Sequence, residues 1–231
     1  MIKNTPPKQP LKIVVFGATG DVGRETVIEA VARGHQVTAI ARNADRLADL
    51  PDAVTCESVD VLVDLKQVGH VMAAHDVAIS ALRPASGSEE LLVDMSKNLM
   101  DAARATNTRL YITGGAATLK LADGSGHSVL TAPDFLPDAV RPIAEACAKL
   151  DALLGHYDDV QWSCLRPPAM LFAGEKTRQY VRGTNTLILD HDGMARISYA
   201  DFGVAMVDLV EDVDIDQRRL TVGYQTKAAA V

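Results

Sequence analysis

Leu11-Lys12-Ile13-Val14-Val15-Phe16-Gly17-Ala18-Thr19-Gly20-Asp21-Val22-Gly23 is an apolar run that breaks into three regularly spaced glycines. Ile13 to Phe16 shows no polar alternation, as a strand buried on both faces of a parallel sheet requires. The glycines stand at the spacing of a dinucleotide-binding turn. Gly17 permits the tight turn, Gly20 lets backbone approach a pyrophosphate, and Gly23 lets the next helix pack close to the strand. A helix is predicted over residues 22–33, with Val27, Ala30 and Val31 on one face and Arg33 and Gly34 as its stop signal. Its free N–H groups and positive dipole end would face the phosphates. A ligand-free glycine turn is the alternative, and the nesting between strand and helix argues against it.

Outward from this unit the chain alternates strand and helix. Strands are predicted at 36–41, 54–58, 76–80, 109–113 and 161–166, with helical pieces at 43–50, 64–74, 88–104 and 142–154. Ser88 is read as the cap of the third of these pieces, with Glu89 and Glu90 in its first turn. Leu91, Leu92, Met95, Leu99 and Ala102 recur there at helical period. This alternation predicts an α/β fold: a Rossmann-type doubly wound parallel sheet in the order 3-2-1-4-5-6. A last strand is expected at 219–222 after an amphipathic helix over 200–211, with a small substrate-side lobe from the C-terminal insertions. Thr186–Leu189 and Ala195–Ile197 bracket Asp192-Gly193 as a hairpin signal. Residues 114–142 lose all period and are read as a substrate-side loop or lid.

At 231 residues, one domain with a well-buried core is the simplest organisation: a flexible, proline-bearing tail over 1–10 and a single nucleotide-binding domain over 11–231. The net charge of −7 and the lack of a basic block argue against a nucleic-acid surface. No apolar run approaches the ~20 residues that cross a membrane. The first ten residues hold no apolar signal core. Cys56, Cys147 and Cys164 are odd in number and widely spaced, which suggests buried or free thiols and a cytoplasmic setting. The sequence leaves the oligomeric state open.

An acidic residue at the end of the second strand would receive the ribose hydroxyls of NAD. This chain has Ile40-Ala41-Arg42 there, with Arg46 one turn on. A guanidinium suits a 2′-phosphate, so NADP(H) is the preferred cofactor, with NAD(H) possible. Asp60 either accepts from an adenine amino group, with Val61 packed on the ring, or caps the next helix. Ser80, Ala81 and Leu82 are small or apolar residues where the nicotinamide ribose should lie. Arg83 stands either against the pyrophosphate or in water. Asp21 is favourable at a helix N-terminus but unfavourable beside phosphates.

Gly-Ala-Thr-Gly-Asp-Val-Gly at 17–23, Ala-Arg-Asn at 41–43 and Ser-Ala-Leu at 80–82 carry a family likeness. So do Thr-Gly-Gly-Ala at 113–116, Thr-Ala-Pro-Asp-Phe at 131–135, Leu-Arg-Pro-Pro at 165–168, Arg-Ile-Ser-Tyr-Ala-Asp-Phe at 196–202 and Thr-Val-Gly-Tyr at 221–224. Together they resemble the atypical short-chain dehydrogenase/reductase superfamily, and within it the bacterial "putative NADH-flavin reductase" group, relatives of biliverdin/flavin reductases. The resemblance implies an NAD(P)H cofactor and reduction of a flavin, quinone or other small conjugated acceptor. It implies that Gly17, Thr19, Gly20, Val22, Gly23, Arg42, Asp60 and Val61 line the cofactor. Thr113, Gly114, Pro167 and Pro168 would border nicotinamide and substrate. Relatives often carry a small residue where this chain has Arg83.

None of Tyr111, Tyr157, Tyr180, Tyr199 and Tyr224 has lysine four residues on. The tyrosine–lysine pair that exchanges a proton with alcohols and ketones is therefore missing. A flavin or quinone needs less help, because solvent can supply its proton. The six histidines show no metal-ligand spacing; His127 lies in the irregular loop, and Asp190 with Asp192 fits a turn better than a calcium loop. No catalytic residue and no metal are assigned. The expected activity is an NAD(P)H-dependent reductase. The alternative is a non-catalytic redox sensor that binds the dinucleotide and a protein partner.

Overall fold

A computed structural model describes residues 9–212 and 218–225. Residues 1–8 of the expected tail, and 213–217 and 226–231 of the expected domain, lie outside the described residues; Gln9 and Pro10 are exposed. The chain runs β1 (Lys12–Phe16), α1 (Asp21–Ala32), β2 (Gln36–Ala41), β3 (Thr55–Ser58), α2 (Leu65–Ala73), β4 (Val77–Ser80), α3 (Leu91–Thr106) and β5 (Arg109–Thr113). It continues through α4 (Arg141–Leu154), β6 (Trp162–Arg166), β7 (Met170–Phe172), β8 (Val181–Gly183), β9 (Arg196–Ser198), α5 (Tyr199–Glu211) and β10 (Arg219–Gly223).

The main sheet has the order β3-β2-β1-β4-β5-β6-β10-β8. Its first seven strands are parallel neighbours, and β8 joins the edge antiparallel to β10. The period of two in a strand sends alternate side chains to opposite faces. Ile13 and Val15 of β1 pack under α1 and α5, whereas Val14 and Phe16 pack under α2, α3 and α4. Both faces are covered, which is why β1 reads as an unbroken apolar run.

Local signals fixed several boundaries. Pro142 sits in the first turn of α4, where its missing N–H costs nothing. Gly34 adopts φ +86° just past α1. Ser88 is a correction: α3 begins at Leu91, its cap position is Glu90, and no side chain caps it. The Ser88 carbonyl accepts from the Leu91 N–H, so 88–90 form a turn leading into the helix. The 186–197 hairpin is a second correction. The turn exists, with Gly193 at φ +73° and the Asp190 N–H bonded to the Met194 carbonyl. Its flanks do not pair, however: β9 runs parallel to β7 in a separate two-stranded sheet, and Thr186 bridges Lys120. These pieces form the small lobe, where Leu119, Val129, Leu187 and Ala195 make a cluster of their own.

Charge ties the lobe to the sheet. The Glu29 side chain on α1 is fully buried, and it accepts from Arg33 Nε at 2.7 Å and Lys176 Nζ at 2.9 Å. Arg178 approaches it at 2.8 Å. Burial alone would raise the Glu29 pKa; the hydrogen bonds from Lys176, Arg33 and Arg178 outweigh it and hold the carboxyl below its ordinary value. Arg33 also donates to Asp208 and Glu211 of α5, both at 2.6 Å. The Tyr180 hydroxyl donates to Asp208. The segment between β7 and β8 is thus latched onto α1 and α5.

Candidate cofactor and acceptor site

The β1–α1 turn is built by backbone. Gly17 adopts φ +79°, a conformation that L side chains rarely take. The N–H groups of Gly17 and Ala18 donate to the Ile40 carbonyl at 3.2 and 3.3 Å, which pins the turn to the end of β2. A Cβ on Gly17 would lie 2.5 Å from the Ala81 carbonyl oxygen, and one on Gly23 would overlap the Gly17 carbonyl. The turn, the helix and β4 therefore close on one another only with glycine at both positions. Gly20 is the N-cap of α1 and supplies no side-chain cap, so the N–H groups of residues 21–23 have no partner within the helix. Asp21 is exposed in the first turn.

Two cavities open from this turn, beyond the carboxyl ends of the strands. The smaller, about 310 Å³, runs from Gly17 and Thr19 past Ile40, Ala41 and Arg42 to Val61. The larger, about 420 Å³, is walled by Thr113, Gly114, Pro167 and Pro168, with Asp21 and Val22 at its near side. They meet at Gly20, Ala81, Leu82 and Arg83, which wall both. Gly23 and Ser80 wall neither cavity. Gly23 is buried where α1 packs on the turn, and Ser80 is buried in β4.

Arg42 and Arg46 are exposed on the smaller cavity, and among the described residues neither side chain pairs with a carboxylate. Val61 walls the cavity but Asp60 does not. Asp60 Oδ1 accepts from the Leu62 N–H at 2.9 Å, turning the chain toward α2, and the cap position of α2 is Asp64 rather than Asp60.

At the other end, Thr113 Oγ1 is buried at the tip of β5 with no hydrogen-bond partner. Thr113 as a residue also walls the larger cavity. The irregular 114–142 segment contains short 3-10 turns at Ala116–Thr118 and Asp138–Val140, and its Val129, Leu136 and Val140 wall the larger cavity. Buried Arg166 braces it from behind, donating to Thr118 Oγ1 at 3.3 Å and Asn185 Oδ1 at 3.0 Å. Met170 and Tyr199 close the cavity from the small lobe. The sequence reading missed Met170 and Tyr199 as walls of the cavity; Met170 lies on β7 and Tyr199 directly follows β9, and the β7–β9 pairing that brings them together has no local signature.

Two of the three thiols are shifted upward by burial. Burial pushes Cys147, which walls the larger cavity, up to about 11, and Cys164 up to about 12. His127 is exposed and walls neither cavity. Ligand atoms of Asp190, His191 and Asp192 approach one another, but Arg196 bridges both carboxylates, as suits a charged turn.

A glycine cradle under a helix N-terminus, an arginine-lined arm and an orphaned hydroxyl beside an apolar chamber fit a nicotinamide dinucleotide. The fold and this arrangement are those of an NAD(P)H-binding, oxidoreductase-like protein. Residues 17–212 match the model of the NAD(P)H-binding family, and the chain belongs to that family. It is 32% identical over 216 residues to YwnB, an uncharacterized protein of Bacillus subtilis (strain 168), spanning 92% of this chain and 98% of that one. A "putative exported protein" of Burkholderia pseudomallei shares 32% identity with a TM-score of 0.81, covering 93% of this chain and all of the other. A "putative NADH-flavin reductase" of Streptococcus pneumoniae shares 27% identity with a TM-score of 0.82, covering 93% and 99%. Among the described residues, no helix is long and apolar enough to cross a membrane.

Proposed function

We propose that this protein is an NADPH-preferring reductase that passes hydride to a flavin, a quinone or a similar small conjugated acceptor in the cytoplasm. One observation carries the reading: the glycine-cradled arm and the apolar chamber adjoin, sharing Gly20, Ala81, Leu82 and Arg83 as walls. A dinucleotide lying along the arm would present its nicotinamide end to the chamber. When bound, it supplies a hydride, which is two electrons with one proton; solvent supplies any second proton.

The chain's own residues bind, orient and exclude water. The N–H groups that open α1 face the diphosphate, and Arg42 with Arg46 face a 2′-phosphate. Thr113 Oγ1 meets a polar atom of the nicotinamide or acceptor. Gly114, Pro167 and Pro168 offer flat, small surfaces to a planar ring, with Val129 and Leu136 keeping water off it. The absence of a Tyr-x-x-x-Lys pair suits acceptors that need no protein-borne proton. The "putative NADH-flavin reductase" name of the Streptococcus neighbour supports this acceptor class.

The test is oxidation of NADPH followed by absorbance, with FMN, riboflavin and a quinone as acceptors, alongside calorimetry with NADPH and NADH. Turnover with at least one acceptor and tighter binding of NADPH are expected. Tight binding without turnover across the panel would replace the reductase by a redox sensor.

A further inference from the structure

Arg83 stands where the two cavities join, and it walls both. Its backbone is pinned. Buried Pro84 follows it, and a proline restricts the residue before it to extended backbone. Among the described residues its side chain has neither an ion pair nor a hydrogen bond, in a chain with an excess of acidic groups. It is the one basic residue that walls the larger cavity, whose surface is otherwise apolar or small apart from Asp21, Thr113, Cys147 and Tyr199.

The anions of a bound dinucleotide already have partners elsewhere. The N–H groups opening α1 serve the diphosphate, and Arg42 with Arg46 lie at the far end of the smaller cavity. The charge of Arg83 instead reaches the acceptor side. Cys147 walls only the larger cavity, and its thiol, pushed up by burial, is drawn down by Arg83. Asp21 walls the same chamber without pairing to Arg83.

We propose that Arg83 selects acceptors that carry a phosphate or carboxylate beside their conjugated ring. The proposal rests on the reductase reading, since it assigns the chamber to the acceptor. A guanidinium fork matches either group with two parallel hydrogen bonds, and apolar walls beside it take the ring. The substrate class is thus an anionic, planar oxidant rather than a neutral one.

FMN and riboflavin share one ring system and differ by a phosphate, so they are the probes. The full-length protein, saturated with NADP+, is titrated with each while flavin fluorescence is followed. The wild type is expected to hold FMN about tenfold tighter than riboflavin, as a charge-assisted contact supplies. Arg83→Gln collapses that ratio and Arg83→Lys restores part of it, while any loss of NADPH affinity, measured separately, is smaller than the loss of FMN affinity. Equal affinities in the wild type, or failure to hold either flavin, overturn the proposal. So does a loss of NADPH affinity in Arg83→Gln that matches the loss of FMN, which would make Arg83 a clamp on the diphosphate. Failure of the reductase reading looks different: FMN is still preferred, but NADPH is not oxidised by any acceptor.

Discussion

The two ends of the site are made in opposite ways. The proposed cofactor end takes half of its walls from one stretch, β1 through Arg46, and half from Val59, Val61, residues 81–85 and Met95. The acceptor end takes its walls from separated segments: the tips of β4, β5 and β6, the 114–144 stretch, Met170 and Tyr199. At the first, backbone shapes the turn, which demands that there be no side chain at Gly17 and Gly23, and the Arg42 and Arg46 side chains add charge beside it. At the second, side chains do it, and each arrives on a different element. A site of backbone amides is a local property of the chain; a chamber of side chains exists only once the elements have docked.

The largest expected effect lies in the latch that holds the lobe to the sheet. Glu29→Ala leaves Arg33, Lys176 and Arg178 facing a void, and breaking a buried ion cluster costs about 3–5 kcal/mol. Urea unfolding followed by circular dichroism reads it. The latch has a pH signature as well. Because the folded Glu29 pKa lies below its unfolded value, its stabilisation is complete above the ordinary carboxylate range. It is lost as pH falls through the depressed folded value. Glu29→Gln should shallow the acid limb of stability against pH, and an unaltered limb would assign that limb to other carboxylates.

Breaking the cofactor end comes next. Gly23→Ala drives a methyl into the Gly17 carbonyl, and such overpacking costs about 1–3 kcal/mol. Calorimetry with NADPH should show its heat lost in a protein that still folds, while retained affinity would move the diphosphate away from this turn. Arg42→Ala is milder. The ratio of NADPH to NADH affinity should fall about tenfold, the worth of a charge-assisted contact; an unmoved ratio removes the clamp. The smallest effect sharpens the contrast. Ser198 caps α5 by accepting from the Asp201 N–H at 3.0 Å, and Ser198→Ala should cost about 1 kcal/mol in thermal unfolding without weakening NADPH binding.

Legibility followed the same division. β2 and β5 fall at their expected bounds, α1 within a residue of them, because apolar period, proline and glycine act on a few neighbouring residues. Asp60 shows the limit: a carboxylate after a strand suits a turn, a cap or a ligand equally, and only its bond to the Leu62 N–H decides. Glu29 shows another. On a helical wheel it is an ordinary acidic residue, and its burial depends on Lys176 and Arg178, nearly 150 positions away. The 186–197 region carried a true turn signal but a false pairing, since β9 found a better partner in β7.

By itself the sequence determined the sheet order, the glycine turn and the dinucleotide family, because strand burial, positive φ and close helix packing each impose a residue type at a fixed local spacing. Only the tertiary structure decided which side chains wall the larger cavity, that Arg83 walls both cavities, and that Glu29 latches the lobe. Those outcomes depend on contacts between distant segments, and the free energy of such contacts is defined only after docking has excluded water from between them.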